Sequence, residues 1–356
     1  MSAPFSQRFK EARMLNGFSL QDLANKLQAE QISISKQALH KYEKGEAIPD
    51  TQMLLQLSRV LGVRLDFFFQ RHTVELSTPE YRKLSKLPVK EQERITAITR
   101  FAVSRYLELE SLLGLNTPFI NPLANFPEIN ELAEVEVAAN HVRTQWNWGT
   151  GPLYNVLELL EDQHVKMILL QSEDSFDGMK AWVNDQQIAV IALNSVRLNS
   201  PDRLRFTALH ELGHLLLPIN HLPEKERERM CNRFAAAMLL PESTAKMEFG
   251  AKRNRLHLQE LADLKKQYGI SMQALAFRAN DLGIITDSYL KQFIFMFYQH
   301  GWRQTEPAPY TGEEKATRFN QLLMRALAEE IISIDKAAVL NNQSLLAFRK
   351  QLQMVE

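Results

Sequence analysis

The stretch Arg205-Phe206-Thr207-Ala208-Leu209-His210-Glu211-Leu212-Gly213-His214-Leu215-Leu216-Leu217 constrains this chain more than any other. It places His-Glu-x-x-His inside an apolar run, so it reads as a buried helix. On an α-helix, residues four apart project from one face about one turn apart. Two neutral imidazole nitrogens at that spacing, from His210 and His214, can bind one zinc ion. Glu211 is then placed to act on water rather than to hold the metal. Ser200 reads as the N-cap, Pro201 suits the first helical position, and Asp202 complements the positive end of the helix dipole. Pro218 closes the helix. Histidines on apolar helices also serve as hydrogen-bonded core residues, so a third ligand is needed to separate the two readings.

Catalytic zinc keeps three protein ligands and one open position. A following helix, residues 227–240 with Pro241 as its stop, is where the third should come from. Phe234, Ala235, Met238 and Leu239 mark its inward side, and Glu228 falls on that side. An inward carboxylate needs a partner, because burying it alone is costly. Glu224, Glu226 and His221 are the nearby alternatives. His221 does not complete a metzincin pattern, since Leu217 and Asn220 fill the Gly and His places. Upstream, residues 165–170 form a short apolar run read as a buried strand. Residues 179–183 and 188–193 read as strands around an Asn184-Asp185 turn. A sheet edge beside a metal can pair with an extended peptide, and residues 188–193 are the expected edge.

The bulk numbers narrow the class. At 356 residues the chain has room for two or three domains. Lysine plus arginine and aspartate plus glutamate balance at 42 each, so no global field draws it to nucleic acid or membrane. A single cysteine excludes an intramolecular disulfide framework and fits a reducing compartment. No apolar run approaches the roughly 20 residues of a membrane span, and the first residues lack a signal-peptide core. We therefore expect a soluble cytoplasmic protein with no membrane partner.

Residues 5–69 read as a compact helical bundle. Phe9, Ala12 and Leu15 share a face before Gly17; Ser19 caps residues 20–27; Ser35 caps residues 36–44, which Gly45 ends; residues 51–61 form a fourth helix. Arg8-Phe9-Lys10-Glu11-Ala12-Arg13, Ser19-Leu20-Gln21-Asp22-Leu23-Ala24, residues 35–45 and Ile48-Pro49-Asp50 resemble the XRE (Cro/λ-repressor-like) helix-turn-helix family. That resemblance implies a double-stranded DNA operator, bound as a dimer across two half-sites, with the third helix entering the major groove. Lys36, Gln37 and His40 would then face base edges or nearby phosphates, and Arg13, Lys41 and Lys44 would contact phosphates. The turn before the third helix is longer than is usual in that family. Residues 1–50 carry seven basic and six acidic side chains, a net of +1, which implies modest non-specific DNA affinity. Dimerisation or protein contact is the other use of such a bundle.

Thr78, Pro79 and Pro88 punctuate a connector. Its long helix repeats Ile95, Ile98, Phe101, Ala102, Leu109, Leu112 and Leu113 at three- and four-residue spacing, which suits a packed strut better than a coiled-coil seam. Residues 116–122 form a loop.

Residues 202–216, followed by Glu228-x-x-Cys231-Asn232-x-Phe234-Ala235-x-x-Met238-Leu239-Leu240-Pro241, resemble the ImmA/IrrE family of zinc peptidases. Residues 264–285 and the stretch from Ala133-Glu134 to Pro152 resemble it too. By that match Glu228 takes the third-ligand role, and Cys231 stands where Ala is usual. Cys231 reads as a small buried residue; a thiol reaching the metal is the alternative. Arg278, after the Gly269-Ile270-Ser271 turn, is the candidate second oxyanion donor. The resemblance implies a mainly α (α+β) fold: an N-terminal helix-turn-helix five-helix bundle over 1–72, a helical connector over 73–120, a zincin-like metallopeptidase domain with a small sheet over 121–290, and a helical C-terminal region over 291–356. Within that last region residues 289–297, 318–331 and 334–352 read as helices. It also implies zinc-dependent cleavage of a regulatory protein, such as a helix-turn-helix repressor or antitoxin, in a stress-response or toxin–antitoxin setting. A transcriptional regulator whose metal domain senses or docks without cleaving is the alternative.

Overall fold

The structure is a computed structural model describing residues 2–69, 80–81, 87–115, 118–172, 176–183, 187–303 and 305–353. Thr78, Pro79, the start of the 116–122 loop and the Asn184-Asp185 turn lie outside the described residues. The chain divides into two compact units, Met1–Leu76 with Lys83–Leu107, and Ser77–Arg82 with Glu108–Glu356.

The first unit holds α1 (Ser2–Leu15), α2 (Leu20–Ala29), α3 (Lys36–Lys44), α4 (Thr51–Val60), a 3-10 turn over Leu65–Phe69, and most of α5 (Val89–Leu112). Short polar side chains start three of these helices by accepting otherwise orphaned backbone N–H bonds. Ser19 Oγ accepts from Asp22 N at 3.0 Å, Ser35 Oγ from Ala38 N at 3.1 Å, and Asp50 Oδ1 from Met53 N at 2.8 Å. Gly45 ends α3 in the left-handed region at φ +71°, where a side chain would be strained. Phe5, Phe9, Leu23, Leu27, Leu39, Leu57, Phe67 and Phe68 form the core. α5 joins this unit rather than standing apart as a connector: Phe101 meets the Phe67 ring at 5.6 Å and Lys90 pairs with Asp22 at 3.1 Å.

The second unit opens with β1 (Glu80–Tyr81), then α6 (Leu132–Gln145), α7 (Val156–Asp162), β2 (Lys166–Leu170), β3 (Gly178–Val183) and β4 (Ile188–Asn194). There follow α8 (Pro201–Leu216), α9 (Glu224–Leu239), α10 (Glu242–Phe249), α11 (Leu258–Tyr268), α12 (Met272–Asp281), α13 (Asp287–Gln299), α14 (Arg318–Ala328), α15 (Ile334–Leu340) and α16 (Leu345–Gln353). Sheet order is β1-β3-β4-β2. β2 runs parallel to β4, from Lys166↔Val190 to Leu170↔Asn194. β3 runs antiparallel to β4, from Gly178↔Leu193 to Val183↔Ile188. β1 pairs antiparallel with β3 at Glu80↔Lys180 and Tyr81↔Met179.

β4 is therefore an interior strand, which overturns its expected role as the edge that pairs a peptide. Both of its hydrogen-bonding edges are taken, and Ala189 through Leu193 are fully buried. A continuous apolar run is what a strand covered on both faces requires. β3 lies one strand further out, and β1 covers it at Met179 and Lys180.

α8 and α9 pack closely because Gly213 leaves room. A Cβ there would meet Cys231 Cα and the Phe234 ring at 3.3 Å. Ser200 precedes α8 as expected, yet its side chain makes no cap bond; Asp202 is buried and pairs with Lys265 at 3.0 Å. A buried carboxylate, Glu136 on α6, holds α9 and α12 together. It accepts from Arg233 and, through both oxygens, from Arg278. The single helix expected over 334–352 divides into α15 and α16, because Asn342 turns the chain at φ +55° and Ser344 caps the next helix at Ala347 N, 3.2 Å away. Among the described residues no helix is long and apolar enough to cross a membrane.

Candidate metal centre and nucleic-acid face

α8 aims His210 and His214 at one point, and α9 brings Glu228 to it. The ligand atoms of these three residues lie within 4.8 Å of one another. His210 Nε2 and His214 Nε2 are 3.1 Å apart, His214 Nε2 is 3.0 Å from Glu228 Oε1, and His210 Nε2 is 3.5 Å from Glu228 Oε2. Tetrahedral ligands at zinc–nitrogen distances of 2.0–2.1 Å are separated by about 3.3 Å, so the spacing suits such an ion. The proton placement suits it too. Asn232 Oδ1 only accepts, so the 2.9 Å contact to His210 Nδ1 puts the proton on Nδ1 and leaves Nε2 a lone pair. That lone pair, the second imidazole and a carboxylate converge, a donor set that calls for a cation.

Glu211 is 1 % exposed and sits against β3. The α-carbon of Gly178 makes that approach possible: a Cβ there would lie 3.2 Å from Glu211 Cγ, 3.1 Å from Thr207 Cγ2 and 3.0 Å from a Leu193 methyl. The strand that starts at Gly178 thus runs directly over the acid.

The other candidates fall elsewhere. Glu224 and Glu226 are exposed in the first turn of α9, and His221 Nε2 bonds Asn130 Oδ1 at 3.1 Å. Cys231 is fully buried against Gly213 and is outside the group that could hold a metal among the described residues. Arg278 is placed away from the role of oxyanion donor. It is fully buried, with Nε on the Leu240 carbonyl at 3.0 Å and both terminal nitrogens on Glu136. Each of its three nitrogens is engaged in joining α6, the end of α9 and α12. Sequence reasoning missed Asn232, Gly178 and Glu136. Only Asn232 left a signal, one turn after Glu228 on the same helix face.

On α3, Lys36, Gln37, His40, Lys41 and Lys44 are all exposed, at spacings that share one side of the helix. Arg13 does not join them. Its Nε pairs with Glu43 at 2.6 Å and its guanidinium also bonds the Phe18 carbonyl, so it ties α1 to α3 inside the bundle. A side chain committed to a half-buried carboxylate is not offered to a phosphate.

Comparison with known proteins agrees with both units. Residues 9–68 match the family model for a helix-turn-helix, and residues 165–280 match the Peptidase M78 model, described as an IrrE N-terminal-like domain. The chain thus joins an XRE-type helix-turn-helix region to an IrrE/ImmA-like peptidase-family domain, and the second match contains His210, Glu211, His214 and Glu228. Over 66 residues the chain is 39 % identical to the SPbeta prophage-derived uncharacterized HTH-type transcriptional regulator YonR of Bacillus subtilis (strain 168). That alignment spans 18 % of this chain and 56 % of the relative.

Proposed function

We propose that this chain is a DNA-binding regulator that also cleaves a regulatory protein, such as a helix-turn-helix repressor or antitoxin, as a zinc-dependent endopeptidase. The observation that carries the reading is the convergence of two imidazoles and a carboxylate beside the buried Glu211. His210 Nε2, His214 Nε2 and Glu228 would hold the metal, and Asn232 keeps His210 in the ligating tautomer. Held by these residues, a zinc ion would supply Lewis acidity, lowering the pKa of a water to about 7 and polarising a carbonyl. Glu211, on the side of α8 that faces Gly178 of β3, would take the proton of the attacking water and deliver it to the leaving amine nitrogen. The substrate lies extended along the outer edge of β3, displacing Glu80–Tyr81, and main-chain bonds favour a flexible loop over a folded helix. On the first unit, Lys36, Gln37, His40, Lys41 and Lys44 face the major groove.

Wild type and Glu211→Gln, both with zinc measured, are incubated with helix-turn-helix repressors and run on a gel. Glu211→Gln should keep its zinc and lose cleavage by roughly 100- to 10,000-fold, the contribution typical of a general base. Equal cleavage by the two proteins overturns the peptidase assignment and leaves the regulator without proteolysis.

A further inference from the structure

β1 belongs to the second unit, although the chain before it, to Leu76, and after it, from Lys83 to Leu107, belongs to the first. It supplies Glu80 and Tyr81 alone, paired with Lys180 and Met179 on the outer edge of β3. That is well short of the usual strand of about five or six residues, so the edge is covered by a pairing that is easily displaced.

The face that β3 turns to α8 is fixed by Gly178, which lies against Thr207 and Glu211. Side chains alternate along a strand, so Lys180 and Trp182 share that face, while Met179, Ala181 and Val183 are buried on the other. Trp182 is engaged with the Phe119 ring at 5.7 Å. Lys180, half-buried, is the one charged residue of β3 and stands a same-face step, about 7 Å, from Gly178. The ladder places Glu80 directly opposite it. Opposite charges at such a cross-strand pair are favoured and like charges are not.

We propose that β1 is a built-in pseudosubstrate: the chain's own Glu80–Tyr81 closes the peptide edge of β3, and the peptide that replaces it carries an acidic residue opposite Lys180. In this register the residue two places after the acid lies opposite Gly178, beside Glu211. The inference rests on the peptidase reading. A tethered strand holds its edge at an effective concentration that is roughly millimolar for a short linker, so a dilute peptide gains the edge only when β1 is released.

The probe is a fluorescently labelled, amidated peptide of residues 75–84, followed by anisotropy on zinc-loaded, full-length protein carrying Glu211→Gln. Glu80→Pro/Tyr81→Pro in the protein removes both main-chain N–H groups that β1 could donate to β3, and should raise probe affinity about tenfold or more. On that released protein a probe with Glu80→Lys should bind about fivefold more weakly, and Lys180→Glu in the protein should reverse the order of the two probes. A damaged edge would weaken both probes alike, so the reversal reads charge and not folding. With Glu211 restored, the released protein should cut helix-turn-helix repressors about tenfold faster than wild type. Probe affinity that ignores the release or the charge exchange overturns the inference. Equal cutting of repressor by released and wild-type protein overturns it too, and leaves the peptidase reading intact. Probe binding that follows both changes, with no repressor cut by either protein, sinks the peptidase reading and leaves β1 standing as a displaceable strand.

Discussion

α3 and α8 each carry the residues on which a functional reading turns, and they carry them in opposite ways. In α3 only Leu39 is buried, and the five side chains proposed to meet DNA stand in solvent. In α8 twelve residues are buried, His210 and Glu211 among them, and neighbouring elements hold Asp202, Arg205 and His210 by ion pairs or hydrogen bonds. An exposed side chain is positioned by its partner at the moment of binding. A buried one is positioned by the fold beforehand, through contacts such as Asn232 on His210 and Gly178 over Glu211. Substitutions on α3 should therefore change affinity and leave stability alone, whereas substitutions around α8 and α9 should change both.

The largest effect should come from removing a proposed ligand. Glu228→Ala should lose stoichiometric zinc and, with it, the stabilisation that a bound ion confers on the folded state. Glu224→Ala and Glu226→Ala, exposed at the start of the same helix, should keep both. Metal analysis of the three purified proteins checks this. Full zinc content in Glu228→Ala would erase the contrast between the helices at its strongest point.

Glu136→Ala comes next and involves no ligand. It strips a buried carboxylate from between Arg233 and Arg278, which leaves two cations without their shared partner. Breaking such a buried pair costs about 3–5 kcal/mol. Denaturant unfolding should register that loss in the unit that holds α9, with the helix-turn-helix unit unfolding as before. A loss under about 1 kcal/mol would mean that solvent screens these charges as it does at a surface.

These two cases also mark what could be read from the sequence. The common face of His210 and His214 was legible because they share one helix at a one-turn spacing and helical periodicity is local, whereas Glu228, on the next helix, stood apart from Glu224 and Glu226 only through the family resemblance. Glu136 was not legible, because its partners lie 97 and 142 residues away and pairing at that range leaves no periodic trace. β4 was legible as a strand and misread as an edge for the same reason. Whether a strand is interior depends on which segments pair beside it, and here β2 and β3 do. Arg13 lies within a basic helix-turn-helix pattern, yet Glu43, thirty residues on, takes it inward. The break between α15 and α16 sits in Asn-Asn-Gln-Ser, polar residues that an amphipathic helix also tolerates, so the apolar period runs across it.

A smaller effect should separate the units by pH. Glu161 is buried, and its Oε2 accepts from Thr317 N at 2.8 Å and Arg318 N at 2.9 Å. Burial pushes its carboxyl up to about 7, against the pull of those bonds. The folded value lies above the unfolded one, so the folded state binds the proton more tightly. The stabilisation is complete below the unfolded pKa and is lost as pH rises through about 7. Its size is on the order of 3 kcal/mol. Melting curves between pH 4.5 and 8 should show the decline in wild type and a flatter profile in Glu161→Gln, whose amide oxygen still accepts both N–H bonds. An unchanged slope in the variant would assign the decline to another group.

The smallest changes belong to α3, where the comparison is most easily broken. Gln37→Ala should relax base preference at one position of an operator, costing about 1–3 kcal/mol there and little on random DNA. Lys44→Ala should weaken every sequence alike and reduce the salt slope of binding by about one counterion. Both side chains are exposed on a helix that Ser35 caps and Gly45 ends, so neither substitution touches what holds α3 in place. Stability should stay within about 0.5 kcal/mol of wild type in both. Titrations of wild type and the two variants across a range of salt, on a selected operator and on random DNA, separate the two roles. A clear drop in melting temperature would mean that α3 is held by its outer face as α8 is by its neighbours. Unchanged DNA affinity in both variants, with no sequence preferred over random DNA at low salt, would turn this exposed face into a surface for protein contact.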